Sequence, residues 1–251
     1  TRRDAGDPGT WLWFHGEKLL TVTTEADQSV TVQVRQLTTD TVVWERKSLA
    51  PGTRFFTQNG EDLYQWSPAG MISKWRLSDG EVRWNAPAPA DATADFFWVH
   101  HYADVEMFFI GNALTNQTVA NNPNRFKTRV NQLDVNHLGF QGRVLGMKAA
   151  TGAAVWTSEV DHTAVDLAQR PNIPVLLFAA RQFEQPRVEN GQFISPSRFV
   201  ATILDKRNGD VLYKTTETMM PNQCQIEVDA EFPIVSICFP GWMIEFRRDA
   251  E

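Results

Sequence analysis

The chain has 251 residues, 42% of them hydrophobic, and carries a formal net charge of −6 with a pI near 5.4. A chain of this length can bury a large core in one domain, and it contains no apolar run long enough to span a membrane. Its acidic balance argues against nucleic-acid binding, which requires a basic face. We therefore expect a globular protein with no nucleic-acid partner and no membrane insertion.

One supersecondary unit recurs four times along the chain: a strand, a tight polar turn and a second strand that carries an aromatic residue. The aromatic residues are Trp44, Trp84, Trp156 and Tyr213. They follow, at a constant offset, the pairs Thr39-Asp40, Asp79-Gly80, Thr151-Gly152 and Asn208-Gly209. Asp-Gly and Asn-Gly are typical hairpin turns because they accept positive φ angles. A large aromatic side chain must be buried, most simply on the neighbouring repeat, so we predict that these residues dock successive repeats.

In chain order, residues 1–9 are predicted to form a linker, and residues 10–251 a set of antiparallel four-stranded blades. The predicted blades are 10–47, 53–86, 95–158, 160–215 and 224–248. Blade-like spacing of the aromatic residues favours a propeller over a helical solenoid. The predicted fold class is therefore all-β, a β-propeller with about five blades present, the last lacking its outer strand.

The first residue is not Met, and the last predicted unit ends after three strands. An open ring would expose two unpaired sheet edges, which proteins seldom tolerate. We therefore expect the rest of the same polypeptide to complete a ring of roughly six to eight blades.

Two insertions, 112–141 and 182–198, are predicted between the second and third strands of successive blades. Loops of this length in a compact repeat are usually functional or mobile. Within the first, Arg125, Phe126 and Arg129 combine planar donors with an apolar ring, as interface anchors do, and are candidates for binding a partner. The alternatives are that the insertions decorate the rim, or that they pack together as a stabilising cap with Phe126 in its core.

The sequence offers no clear reaction centre, and no catalytic, cofactor-binding or metal-ligating residue is predicted. His100 and His101 are adjacent on a predicted strand, so they point to opposite faces and cannot chelate one metal ion. Phosphate-binding, zinc-protease and nucleophile-elbow motifs are absent from the sequence. A hairpin turn at Phe232-Pro233 would place Cys224 near Gly241 rather than near Cys238, so we expect two free thiols.

The segment Met147–Trp156 resembles the pattern Leu-Asp-x-x-Thr-Gly-x-x-x-Trp, the tryptophan-docking repeat of the PQQ-like, quinoprotein-type β-propellers. Leu204–Tyr213 is similar, and the resemblance extends over residues 10–250. The general pattern also resembles large PQQ-like repeat proteins of planctomycete-type bacteria. The resemblance implies a propeller fold and a location in the periplasm or otherwise outside the cytoplasm.

Members of this family are of two functional kinds. Some are dehydrogenases that hold pyrroloquinoline quinone and Ca²⁺ and use an adjacent pair of cysteines over the quinone. Others, like the lipoprotein scaffold of the outer-membrane barrel-assembly machinery, bind proteins and carry no cofactor. Here Cys224 and Cys238 are fourteen residues apart, and no residue matches a quinone or calcium ligand. We therefore predict a non-catalytic scaffold with a protein partner and no cofactor; the alternative is part of a quinoprotein dehydrogenase whose cofactor residues lie outside this chain.

Overall fold

The structure of the protein is a computed structural model that describes residues 10–57, 60–91, 93–114, 127–129, 137–166, 173–183, 187–194, 197–217, 225–228, 234–239 and 242–247. All regular secondary structure in these residues is β-strand, which confirms the predicted all-β class. Over the same ranges no helix is long and apolar enough to cross a membrane. The chain divides into two compact units, residues 1–112 with 142–157 and residues 113–141 with 158–251.

The first unit begins with blade one, a four-stranded antiparallel sheet of consecutive strands. Its strands are β1 (Thr10–His15), β2 (Lys18–Thr24), β3 (Val30–Gln36) and β4 (Thr41–Leu49). In β3, Val30, Val32 and Val34 are buried and alternate with half-buried polar residues. This two-residue period buries one face of the sheet.

Blade two is the next four-stranded antiparallel sheet, with the strand order β5-β6-β7-β8. Its strands are β5 (Arg54–Phe56), β6 (Asp62–Ser67), β7 (Met71–Arg76) and β8 (Val82–Pro87). Both of its faces are buried, because neighbouring residues along each strand enter different apolar clusters. Leu63 and Trp75 pack with residues of blade one, whereas Tyr64, Trp66 and Ile72 pack with residues of the third sheet. Face-to-face stacking of four-stranded sheets is the architecture of propeller blades.

The third sheet of the first unit has the strand order β9-β10-β12-β13. Its strands are β9 (Phe96–Tyr102), β10 (Val105–Leu114), β12 (His137–Lys148) and β13 (Ala154–Asp166). The short strand β11 (Lys127–Arg129) lies between β10 and β12 in the sequence. Strand β13 runs without interruption through residues 158–160, where the sequence analysis puts a boundary between blades. The residues of this sheet in the first unit form blade three.

The second unit contains a sheet with the order β13-β14-β17-β18, in which β11 also pairs with β14. Its further strands are β14 (Val175–Phe183), β17 (Ser197–Asp205) and β18 (Val211–Glu217). Between β14 and β17 lies a separate two-stranded hairpin formed by β15 (Arg187–Glu189) and β16 (Gln192–Ile194).

A three-stranded sheet, the last in the chain, comprises β19 (Gln225–Val228), β20 (Ile234–Phe239) and β21 (Trp242–Arg247). Cys238 lies opposite Gln225. The predicted register, in which Cys224 lies opposite Gly241, is shifted from this one by two residues, so the prediction is wrong. The reason is that β19 already ends at Val228, so the connection to β20 is longer than the assumed two-residue turn. Cys224 itself lies outside the described residues.

Candidate functional site

Two of the repeated aromatic residues make the same contact with the next blade. Trp44 Nε1 donates a hydrogen bond of 2.8 Å to Leu77 O, and Trp84 Nε1 donates one of 3.1 Å to Ala149 O. Leu77 and Ala149 each stand three residues before the turn glycine of their own blade. A buried indole needs a partner for its N–H group, and the turn of the following blade provides one.

The turn glycines Gly80 and Gly152 are required by packing as well as by backbone conformation. A Cβ atom at Gly80 would lie 2.7 Å from the Trp44 ring, and one at Gly152 would lie 2.5 Å from the Trp84 ring. Their φ angles are +72° and +70°, a region that favours glycine. Glycine at these positions therefore allows the tight turn and also leaves room for the indole ring of the preceding blade.

The other two aromatic residues of the repeat lie further along the chain. Trp156 is buried on β13, and a Cβ atom at Gly146 would lie 2.1 Å from its Nε1 atom. Tyr213 is half-buried on β18 and lies opposite Ile203. Trp156 thus depends on a glycine on the neighbouring strand of its own blade.

A group of ionisable side chains surrounds the buried Lys74 in the first unit, and we call it the Lys74 cluster. Its members are Asp62, Tyr64, Lys74, Arg83, His101 and Glu106. Lys74 Nζ lies 2.6 Å from Glu106 Oε1 and 3.2 Å from Asp62 Oδ2. It also donates to Ala149 O at 3.3 Å, so three acceptors surround the three hydrogens of the ammonium group. The Glu106 side chain is only 2% exposed.

The other members complete the charge balance of the Lys74 cluster. Tyr64 Oη donates to Glu106 Oε1 at 2.6 Å, and Arg83 Nε lies 3.1 Å from Asp62 Oδ1. Two cations therefore face two carboxylates. Burial, and then the charge of Glu106, raises the pKa of Tyr64, so its hydroxyl stays protonated and remains a donor.

His101 lies at the edge of the cluster, with Nδ1 3.7 Å from Glu106 Oε1, too far for a hydrogen bond. Burial lowers the pKa of His101, and the nearby Glu106 charge opposes this effect. His100 is buried and its ring stacks on Trp98 at a centroid distance of 5.6 Å. Glu106 Oε2 and His101 Nε2 have no hydrogen-bond partner within the part of the chain that the structure describes.

The sheet pairing explains how the cluster forms. Tyr64, Lys74 and Trp84 lie opposite one another across β6, β7 and β8, whereas Glu106 comes from β10 of blade three. This cluster was not predicted from the sequence. One signal was present: Lys74 stands ten residues before the repeat aromatic, where the other copies have Val34, Gly146 and Ile203.

The geometry of the Lys74 cluster is that of a structural ion pair between two blades. Its carboxylates are engaged by Lys74, Arg83 and Tyr64, and its central cation is surrounded by acceptors. In the ranges that the structure covers, no three His, Cys, Asp or Glu side chains are grouped so as to hold a metal ion. The two cysteines of the chain, Cys224 and Cys238, are not adjacent.

The predicted partner-binding residues are described only in part. Arg125 and Phe126 lie outside the described residues, and Arg129 is the last residue of β11, opposite Arg181 of β14. The same pairing sets Lys127 opposite Phe183. Strand β11, from the first insertion, therefore lies beside the end of β14 at which the second insertion begins.

Hairpin β15–β16 was also missed as a discrete element, although Asn190-Gly191 between apolar residues is a strong hairpin signal. Val188 and Phe193 lie opposite each other, and their exposed fractions are 65% and 77%. All residues from 188 to 193 are exposed. The second insertion thus carries an apolar pair into solvent.

No protein-family model matches this chain, and no curated protein matches it. Among solved structures, the chain is similar to BamB from Moraxella catarrhalis, with 11% identity and a TM-score of 0.32 over 95% of this chain and 87% of that one. It is similar to quinohemoprotein alcohol dehydrogenase from Comamonas testosteroni, with 8% identity and a TM-score of 0.43 over 93% of this chain and 40% of that one.

A europium-containing methanol dehydrogenase is also similar, with 10% identity and a TM-score of 0.40 over 88% of this chain and 43% of that one. The chain therefore spans less than half the length of these two dehydrogenases. Similarities this weak carry no argument about function. The assignment of propeller blades rests on the stacked four-stranded sheets and on the docking of Trp44 and Trp84.

Proposed function

We propose that this chain is a non-catalytic β-propeller scaffold that binds a protein partner, outside the cytoplasm, through the two insertions 112–141 and 182–198. The observation that carries the proposal is the antiparallel pairing of β11 with β14, from Lys127–Phe183 to Arg129–Arg181. It brings parts of both insertions together at one end of β14 in the second unit. Two long loops that form one surface offer more contact area than either does alone.

The blades do not need these insertions to form. In blade two the equivalent connection, between β6 and β7, consists of residues 68–70 only. Residues that a fold does not need for closure are free to carry a binding site. The buried Lys74 cluster does not compete with this proposal, because its charged groups pair with one another between blades.

The proposal is tested with the triple variant Arg125→Ala, Phe126→Ala, Arg129→Ala in pull-downs from the native host. We expect loss of a specific protein partner with an unchanged melting temperature, because interface anchors are enriched in Arg and aromatic residues. The matched control, Arg35→Ala with Phe14→Ala, changes a partly exposed Arg and an exposed Phe of blade one. Unchanged partners together with a lowered melting temperature would mean that the insertions form a cap.

A separate measurement addresses the dehydrogenase alternative. The chain is incubated with pyrroloquinoline quinone and Ca²⁺ and then passed over a gel-filtration column. The proposed scaffold retains no quinone absorbance and shows no dye-coupled oxidation of alcohols. Retained quinone with turnover would replace the scaffold proposal with the dehydrogenase.

A further inference from the structure

Hairpin β15–β16 carries two apolar side chains side by side next to a tight turn. Its two turn residues, Asn190 and Gly191, have φ angles of +52° and +78°, as a type I′ turn requires. The pair next to the turn is Glu189 and Gln192, and the following pair is Val188 and Phe193. In such hairpins the second pair is the one without mutual backbone hydrogen bonds, and its side chains lie closest together.

The apolar pair is uncovered in the structure. Among the large apolar side chains of the described residues, Phe193 has the highest exposed fraction, 77%. An isolated two-stranded hairpin is at best marginally stable in water, so an apolar face of this kind gains stability when something covers it. Side chains alternate between the two faces along a strand, so Glu189 and Gln192 lie on the opposite face of the hairpin, and Asn190 borders the apolar pair at the turn.

We propose that the tip of hairpin β15–β16 inserts Val188 and Phe193 into an apolar pocket of a partner protein, with Asn190 at the polar rim of that contact. This inference rests on the proposed function and deepens it by naming the contacting element. The type I′ turn fixes the two side chains before binding, which reduces the conformational entropy lost on association.

Charge favours a protein pocket over a lipid surface. Arg187 and Glu189 are the only charged residues from 187 to 194, so the segment has no net charge, and the whole chain carries −6. Surface-binding segments usually add basic residues to an apolar face to gain attraction to anionic lipids. Here that attraction is missing, whereas a neutral, partly apolar tip suits a protein pocket.

The first step of the test is to identify the pocket. A photo-crosslinking p-benzoylphenylalanine in place of Phe193 is expressed in the full chain in the native host, and the cross-linked protein is identified and purified. Its dissociation constant is then measured by calorimetry for the wild type, Phe193→Ala and Val188→Ala. Phe14→Ala is the matched control, since Phe14 is 65% exposed on β1, away from the hairpin in sequence.

We expect Phe193→Ala to raise the dissociation constant at least about tenfold, Val188→Ala to raise it less, and Phe14→Ala to leave it unchanged. Four outcomes overturn the inference. The first is that no protein is cross-linked from position 193, and the second is a cross-linked protein whose affinity is the same for Phe193→Ala. The third is binding to phosphatidylcholine–phosphatidylglycerol vesicles that Phe193→Ala abolishes, and the fourth is self-association that Phe193→Ala abolishes.

Thermal unfolding of Phe193→Ala provides a further check. A melting temperature equal to that of the wild type is expected for a side chain that is free in the unbound chain. A lowered melting temperature would mean that Phe193 packs on its own chain, which overturns the inference. If a partner that depends on Arg125, Phe126 and Arg129 still binds Phe193→Ala with unchanged affinity, the hairpin inference fails while the proposed function stands.

Discussion

Lys74 occupies a buried position at which the other repeats have a valine, a glycine and an isoleucine. An ammonium group there is stable only because carboxylates from two blades reach it, Asp62 from blade two and Glu106 from blade three. The cluster therefore couples the sequence of one blade to that of the next. A neighbouring blade with an apolar residue in place of Glu106 would leave the Lys74 charge without this partner, so the cluster favours the pairing of these two blades.

The variant Lys74→Met should lower the free energy of unfolding by about 3–5 kcal/mol, because it leaves Glu106 as an uncompensated buried charge. The double variant Lys74→Met, Glu106→Gln should be less destabilised than Lys74→Met alone, since the orphaned charge is also removed. Urea denaturation of both single variants and the double variant gives the coupling energy. A loss below about 1 kcal/mol for Lys74→Met would contradict a buried ion pair and indicate a hydrated one.

Lys206 is a second buried lysine, fully enclosed in the second unit, and burial lowers its pKa from 10.5 to about 7. Above pH 7 the unfolded chain therefore binds this proton more strongly than the folded chain does. The free energy of unfolding should rise with pH between 7 and 10, with a contribution of up to about 1.4 kcal/mol per pH unit from this group. Denaturation midpoints across that range measure the slope.

The variant Lys206→Met should remove this contribution to the slope, whereas Lys214→Met should preserve it, because Lys214 is exposed on β18. Equal slopes for the wild type and Lys206→Met would show that the Lys206 amine keeps its proton in the folded chain.

At the scale of elements, the blades of the first unit are joined through their turns. Trp44 and Trp84 each rest on the turn glycine of the next blade and donate to a carbonyl of that turn. Blade one has Asp40 at the position of that glycine, with a φ angle of +50° and its carboxylate 2.6 Å from Arg35 Nη1. The turn of blade one therefore presents a Cβ atom and an ion pair where the next two blades present a bare backbone.

The variant Gly152→Ala should lower the free energy of unfolding by about 2–4 kcal/mol, since it adds overpacking against Trp84 to the strain of a positive φ angle. Gly16→Ala is the matched control in the same unit, with a φ angle of +56° and no atom within 4 Å of an added Cβ. It should show only the backbone strain, about 1 kcal/mol. Equal effects of the two substitutions in chemical denaturation would mean that the indole moves aside at no cost.

At the scale of the whole molecule, the net charge of −6 sets the expected behaviour towards polyanions. We expect no binding of fluorescein-labelled duplex DNA by anisotropy up to roughly 10 µM protein at 0.1 M salt, because non-specific binding requires clustered cations. A saturable signal that weakens steeply with added salt would reveal a basic surface and contradict this expectation. A labelled DNA that binds a basic protein under the same conditions is the positive control.

Much of the fold could be predicted from the sequence. The turns around Gly80 and Gly152, the aromatic residues that follow them and the strands of blades one and two are specified by nearby residues, through positive φ angles and two-residue alternation. The register of β19 and β20 could not be predicted, because it depends on the length of a connection that carries no hairpin dipeptide. The candidate site was predicted as two insertions with Arg125, Phe126 and Arg129 as contact residues, but without the hairpin that carries Val188 and Phe193.

The sequence by itself determined the class of strands, the position of the turns and the aromatic residues that follow the turns at a constant offset. These features depend on residues within about ten positions of one another, where backbone preferences act directly. Only the tertiary structure decided the Lys74 cluster and the pairing of β11 with β14. Lys74 meets Glu106 across 32 residues and Ala149 across 75, and β11 meets β14 across a similarly long separation. Such contacts depend on how whole sheets stack, which no local pattern encodes.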